Sequence, residues 1–249
     1  MPPRDVAALS DTTRVLRLRS TVPRSDRPEG FTGDLCFTSE MVAAFVHAYT
    51  DPGDLVVDPF AGFGTTLATA QRLGRAAVGF EIDAARVAQA RKALTDPSSL
   101  RHQDVRRFDW RTLPQFTLAI TSPPYMTRDD HAQNPLSGYQ TLDGDYARYL
   151  RDLQEICCGM ATRAAGPDAR IVLNVANLPS TPLAWDVGAA LSEVLEFERE
   201  VVLDWDDPQD WFTQDYCLIF RPRAADGLTD PAASGTVSGA PATTAARPS

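Results

Sequence analysis

Two short strings in this 249-residue chain hold residue types that can do chemistry together. Residues 55–66 read LVVDPFAGFGTT: an apolar run ends in an acid, Asp58, and passes through Pro59 and Phe60 into a turn on Gly62 and Gly64. Thr65 and Thr66 then open a helix. A buried strand, a glycine turn and a helix start together form a nucleotide site at the carboxyl end of a strand. The second string, Thr121-Ser122-Pro123-Pro124-Tyr125, closes the apolar run 116–120. Its two prolines remove two N–H donors and leave carbonyls free to accept. The Ser122 hydroxyl and the Pro123 carbonyl are the natural acceptor pair. Such acceptors suit an exocyclic amine on an aromatic ring, whose lone pair is delocalised and poorly nucleophilic. Acceptors aimed at its two hydrogens pull the nitrogen toward a tetrahedral geometry and stabilise the positive charge that develops there.

The ligand of the first string is narrowed by what is missing. No Gly-Lys-Ser/Thr ending is present, and the third glycine of a dinucleotide fingerprint is absent. A carboxylate at Asp58 would repel a pyrophosphate, which prefers bare N–H groups at a helix start. It suits instead a ligand with an ammonium group and no phosphate, and S-adenosyl-L-methionine is one. Strand 76–80 ends at Glu81, the acid expected about 20 residues past the glycine turn to accept from ribose hydroxyls. Ile82 would press on the adenine, and Asp83 caps the next helix.

DPFAGFGTT closely resembles the cofactor motif of the amino-group DNA methyltransferases, with Phe63 where that family has a small polar residue. TSPPY resembles the catalytic motif of the N4-cytosine enzymes; adenine-N6 enzymes more often carry Asp or Asn in place of Ser122. The resemblance implies S-adenosyl-L-methionine held by Asp58, Phe60, Ala61, Gly62, Gly64, Thr65, Thr66, Glu81 and Ile82. It also implies Asp104 on the adenine amino group, and Thr38 beside Phe37 near the methionine end. Ser122, Pro123, Pro124 and Tyr125 become the catalytic residues, with Tyr125 stacking on a base flipped out of DNA. Methyl transfer to cytosine N4 by in-line displacement comes first, and the proton leaves afterwards to water or a carboxylate. The implied fold is an α/β, class I methyltransferase (Rossmann-like) three-layer sandwich. Its sheet is mostly parallel and seven-stranded, with a C-terminal antiparallel hairpin. Guanine-N2 tRNA methylases share the two-motif layout but carry a DPPY-type motif, and a catalytically idle scaffold has no need of an intact TSPPY. An adenine-N6 or RNA substrate is therefore the alternative.

The elements that must position these strings follow from periodicity and turn signals. Thr38 or Ser39 caps a helix over 40–49 whose stripe is Met41, Val42, Phe45, Val46 and Tyr49. A turn at 51–54 leads into the central strand. Helices are expected over 66–73, from Asp83 with Val87, Ala90 and Leu94 inward, over 146–162 and over 183–195. A short strand or turn falls at 101–105, and further strands at 170–175, 200–204 and 216–220. Loop 126–145 is long, as lids and binding segments are, with Arg128 and Tyr139 as substrate contacts. The last two strands are joined by a loop carrying Trp205, Trp211 and Phe212, which either hold the flipped base or cover the sheet edge. Residues 1–32 are either a mobile arm or a basic arm on nucleic acid, with VLRLR as a short strand. The catalytic domain spans 33–222, and 223–249, rich in Ala, Pro, Ser, Thr and Gly, forms a disordered tail.

Composition bounds the setting. A hydrophobic fraction of 43% can fill a core. No apolar run is long enough for a membrane span, and the N-terminus lacks a signal peptide's apolar segment, so a cytoplasmic location is expected. The four cysteines have no metal-ligand spacing and there are only three histidines, so no metal is expected. A net charge of −9 opposes phosphate binding, although arginines crowd the first thirty residues and 101–111. DNA is the expected partner, within a restriction–modification pair or alone. No segment of domain size remains for target recognition, which points to a short readout, a homodimer or a separate recognition subunit.

Overall fold

The computed structural model describes residues 9–19, 37–126, 145–206 and 213–223. Its strands are β1 (Val15–Leu18), β2 (Leu55–Asp58), β3 (Ala76–Glu81), β4 (Leu100–His102), β5 (Leu118–Thr121), β6 (Arg170–Asn177), β7 (Glu196–Trp205) and β8 (Gln214–Arg221). The helices are α1 (Ser39–Tyr49), α2 (Thr65–Arg72), α3 (Ala84–Ala90), α4 (Tyr146–Ala161) and α5 (Leu183–Ser192). One sheet runs β1-β7-β8-β6-β5-β2-β3-β4. Neighbours are parallel except β8, which is antiparallel to both β6 and β7 and makes the expected hairpin.

Apolar runs without alternation are how strands covered on both faces read in a sequence. β6 is buried at every residue. Side chains still alternate between two cores. Val57, Ala119, Ile171, Leu173 and Val175 face a cluster with Leu153, Ile156 and Met160 of α4 and Leu183, Val187 and Leu191 of α5. Val56, Leu118, Ile120 and Val172 face the other, with Met41 and Phe45 of α1, Leu67 and Ala70 of α2, and Val87 and Ala90 of α3. Helix, sheet and helix thus form three layers.

The sheet has eight strands among the described residues rather than seven. The extra one is β1, which a domain boundary at residue 32 leaves outside the catalytic unit. Its VLRL segment alternates, burying Leu16 and Leu18 and turning Val15 outward. It pairs with β7 in parallel from Val15↔Val202 to Leu18↔Trp205. The apolar side chains join the α1-side core, and the pairing covers the edge that β7 would otherwise expose. Arg128, Tyr139, Trp211 and Phe212 lie outside the described residues, as do the loop 127–144 and the tail from 224. No described helix is long and apolar enough to cross a membrane.

Candidate functional site

From β2 the chain steps outward to β3 and β4, then returns to lay β5 along the other side of β2. The gap between β2 and β5 is therefore where strand order reverses, the place where open α/β sheets hold their ligands. The two strings end at this gap side by side. Thr121, last residue of β5, donates its hydroxyl to Asp58 Oδ1 at the tip of β2 at 2.6 Å. Ser122 is the next residue, so the acid of one motif and the hydroxyl of the other belong to a single site.

Asp58 is buried, and its Oδ1 also accepts from the Phe60 N–H at 3.0 Å. Burial pushes its carboxyl up from 3.8 to about 6, against the hydrogen bonds from Thr121 and Phe60, and the neighbouring Glu81 charge raises it further. Glu81 is buried too, with Oε2 accepting from the Gly62 N–H at 2.9 Å and Oε1 from the Asp83 N–H at 2.8 Å. No lysine or arginine among the described residues forms an ion pair with either acid.

The glycine loop is latched between these acids. Phe60 N–H goes to Asp58, Ala61 N–H to the Phe80 carbonyl at 2.8 Å, Gly62 N–H to Glu81, and Gly64 N–H to the Ala61 carbonyl at 2.7 Å. A phosphate cradle needs such donors free, and here four of them are engaged internally. Gly62 and Gly64 have φ of 53° and 80°, the left-handed region that a side chain resists. Beside Gly62 there is open space, the nearest atom to an added Cβ being the Phe60 carbonyl at 4.0 Å. Gly64 caps α2 without any side-chain hydrogen bond, so Thr65 opens a bare helix start, and the buried Thr66 hydroxyl lies by the Asp58 carboxyl and favours its charged form. Ile82, beyond Glu81, is 51% exposed.

Two further residues serve the backbone. Thr38 is the N-cap of α1, its hydroxyl accepting from the Met41 N–H at 3.2 Å. Asp104 caps the short turn Val105–Arg107, and both its oxygens accept from the Arg106 guanidinium, which holds it below the usual carboxylate range. Arg106 also reaches Asp152 on α4 at 3.5 Å. Arg107 lies 3.9 Å from Asp104 and Arg111 2.9 Å from Asp109, while Arg101 lies over the Phe80 and Phe108 rings. The second arginine-rich stretch is thus largely neutralised within the chain rather than laid out as a basic face.

In the second string, Ser122 and Pro124 are half-buried while Pro123 and Tyr125 are buried. The Tyr125 oxygen accepts from the Ala176 N–H on β6 at 2.9 Å, tying the motif to the next strand. Close by on β8 is Asp215, paired across from Ala176 and also buried. Its carboxylate accepts from Asn174 Nδ2 at 2.7 Å, the Tyr216 N–H at 2.9 Å and Trp205 Nε1 at 3.1 Å. Burial again pushes the acid up from 3.8 to about 6, against those three donors.

Comparison with known proteins agrees with this geometry. Residues 11–92 match the N6/N4 methyltransferase family model, described as DNA methylase. That stretch starts just before β1 and includes the glycine loop and Glu81; TSPPY lies beyond it. A TehB-like SAM-dependent methyltransferase from Corynebacterium glutamicum superposes with a TM-score of 0.51 at 15% identity, over 76% of this chain and 89% of that one. A candidate rRNA methylase from Clostridium thermocellum gives 0.50 at 14% identity, over 76% and 99%. The fold is that of the class I methyltransferases.

Within this fold, Thr121 of the second string takes a part its motif does not state, and two residues outside both strings join the site. Thr121 bridges the strand tips, a contact across 63 residues of sequence. Gly79 on β3 lets the loop and α2 settle onto the sheet, since a Cβ there would stand 2.7 Å from Leu67 Cδ1 and 2.9 Å from Ala61 Cβ. A small residue in an apolar strand two positions before Glu81 is the only signal that could have found it. Asp215 sits between two predicted strands and carries no local motif at all.

Proposed function

We propose that the chain is an S-adenosyl-L-methionine-dependent DNA methyltransferase that acts on the exocyclic N4 amine of cytosine. The observation that carries this reading is the 2.6 Å hydrogen bond between Thr121 and Asp58, which brings the acid-and-glycine tip against the TSPPY tip. The residues at the first tip fit the cofactor: a loop whose N–H groups are engaged, a buried carboxylate without a cation, and an exposed Ile82 beyond a second buried acid. Asp58 would face the ammonium end, the bare start of α2 the carboxylate end, Glu81 the ribose hydroxyls and Ile82 the adenine. Asp104 would share its oxygens between Arg106 and the adenine amino group. S-adenosyl-L-methionine supplies an electrophilic methyl carbon at this place.

Everything else falls to this chain's own residues. The Ser122 hydroxyl and the Pro123 carbonyl accept the two amine hydrogens and draw the nitrogen toward tetrahedral geometry. Acceptors held in place before the substrate enters would need no reorganisation as positive charge grows on the nitrogen. Holding donor and acceptor in line contributes much of the rate. The proton leaves afterwards, to water or a carboxylate. The base reaches this pocket by flipping out of the helix, with Arg128, Trp211 and Phe212 as contacts to it. A cytoplasmic enzyme suits the free thiols of Cys157, Cys158 and Cys217, and target recognition would use a short readout, a homodimer or a separate recognition subunit.

The test is to incubate the protein with methyl-labelled cofactor and, separately, duplex DNA, single-stranded DNA and tRNA, then identify the modified nucleoside by mass spectrometry. N4-methylcytosine in DNA is expected, and Ser122→Ala should lower turnover by roughly 100-fold at unchanged cofactor affinity. Label on adenine, on guanine or in tRNA would overturn the cytosine reading. No label on any of them would overturn the enzyme.

A further inference from the structure

We propose that Thr121 is a positioning residue that sets the distance between the methyl donor and the substrate amine by tying the two motif-bearing strand tips together. The inference deepens the function proposed above and rests on it for the identity of donor and amine. In-line displacement is steep in distance: reacting atoms must be held about 3–3.5 Å apart, and a misplacement of about 1 Å can cost roughly 100-fold. In that function the donor sits on the tip of β2 through Asp58, and the amine on the tip of β5 through Ser122. Whatever fixes one tip against the other therefore fixes the reaction distance.

Each tip is held on its outer flank up to its last residue, Asp58 pairing with Gly79 of β3 and Thr121 with Leu173 of β6. Across the gap between them the pairing stops earlier, at Val57↔Ala119. Pro59 brings no N–H to extend it, and the N–H groups of Phe60, Ala61 and Gly62 turn to Asp58, the Phe80 carbonyl and Glu81 instead. Among the described residues, the tie across the gap beyond that point is the 2.6 Å hydrogen bond from the Thr121 hydroxyl to Asp58 Oδ1. Both partners are buried, so water does not compete for it. A hydroxyl donating to a carboxylate at this length is charge-assisted, roughly twice as strong as a neutral pair, and a β-branched side chain has little rotamer freedom with which to leave it. Ser122 is the next residue, and Pro123 and Pro124 after it hold φ fixed. Tyr125 is then anchored to the Ala176 N–H of β6 at 2.9 Å. The acceptors thus ride on a stiff segment fixed to β6, and Thr121 fixes that segment against the donor.

Thr121→Val removes the hydroxyl and keeps the branched shape, whereas Thr121→Ser keeps the hydroxyl. Thr121→Val should lower kcat for the methyl-accepting DNA by about 10–100-fold. The cofactor Kd, measured by calorimetry without DNA, and the KM for DNA should change by no more than about threefold. Thr121→Ser should recover kcat to within about threefold of the parent chain. Unchanged kcat in Thr121→Val, a loss confined to cofactor affinity, or a serine variant no better than the valine one would each overturn the proposal. A second readout needs neither cofactor nor substrate. Burial raises the Asp58 carboxyl and the Thr121 bond opposes that rise, so in an NMR titration Thr121→Val should move Asp58 above its value of about 6, and Thr121→Ser should not. An Asp58 titration indifferent to Thr121→Val would overturn the inference, since the tie would then be absent in solution. Failure of the wild-type protein to label any nucleobase would count against the function alone, because the titration is read independently.

Discussion

The two ends of this sheet treat buried charge in opposite ways. At the carboxyl end, Asp58, Glu81 and Asp215 are buried against N–H and O–H donors, and none is ion-paired with a lysine or arginine among the described residues. At the amino end, Glu198 near the start of β7 is matched by cations. Arg170 Nε at the start of β6 and Arg221 Nε at the end of β8 each lie 2.6 Å from its Oε2. Arg199 adds a 3.8 Å contact and donates to the Thr13 carbonyl and the Tyr49 hydroxyl, both at 2.7 Å. The pKa directions follow. Burial raises Asp58, Asp215 and Glu198, but at Glu198 Arg221, Arg170 and Arg199 outweigh it and the carboxyl ends below its usual range. Asp58 and Asp215 end at about 6. A carboxylate completed by the chain's own cations serves the fold. One buried without a cation weakens the fold, and at Asp58 the function proposed above gives it a ligand to meet.

The largest expected effect breaks the amino-end side of the comparison. Glu198→Gln leaves Arg170 and Arg199 as buried charges without their counter-ion, which should lower stability by about 3–5 kcal/mol in urea unfolding. Cofactor affinity in the folded protein should not change, since no atom of the β2–β5 gap is touched. A smaller effect is expected from Gly79→Ala at the carboxyl end. The added methyl must displace Leu67 or Ala61, costing about 1–3 kcal/mol and weakening cofactor binding through the loop. A loss of stability without weaker binding would show that the loop does not need its seat on β3.

The smallest effect concerns pH and sharpens the comparison. Asp58 and Asp215 ionise at about 6 in the folded chain against 3.8 when exposed, so between these values the folded state binds more protons than the unfolded one. Their stabilising contribution is complete below pH 3.8 and is lost as pH rises through about 6. Each contributes a slope of at most about 1.4 kcal/mol per pH unit. Glu198, lowered, contributes in the opposite sense: its stabilisation is present at higher pH and lost as pH falls through its depressed value. Urea titrations of Asp58→Asn and Glu198→Gln across acidic pH should therefore tilt the stability curve in opposite directions.

How much of this was legible in the sequence depended on how far apart the interacting residues lie. Asp58, the two loop glycines, Glu81 and TSPPY stood out because each lies in a short string at a strand end. The sandwich and its hairpin were implied by the resemblance of the two strings, while apolar runs and turn residues gave the elements to fill them. β1 was harder, because four alternating residues among prolines and arginines look like an arm until β7 supplies a partner. The Thr121–Asp58 bridge, the Asp215 network and the Glu198 cluster join residues from different strands, and no local pattern marks such meetings. Asp104 shows the converse: its position matched a motif, yet the same local sequence also makes it the cap of Arg106.

Asp58→Asn is the sharpest probe of the whole account. The Thr121 and Phe60 hydrogen bonds at Asp58 fall on Oδ1, so an amide oxygen can keep these two contacts while the charge disappears. Calorimetric titration of this variant with S-adenosyl-L-methionine should show binding weakened by about 100-fold or more, with stability at neutral pH equal to or above that of the parent chain. Wild-type affinity in Asp58→Asn would contradict the claim that this acid is buried without a cation in order to meet one on a ligand.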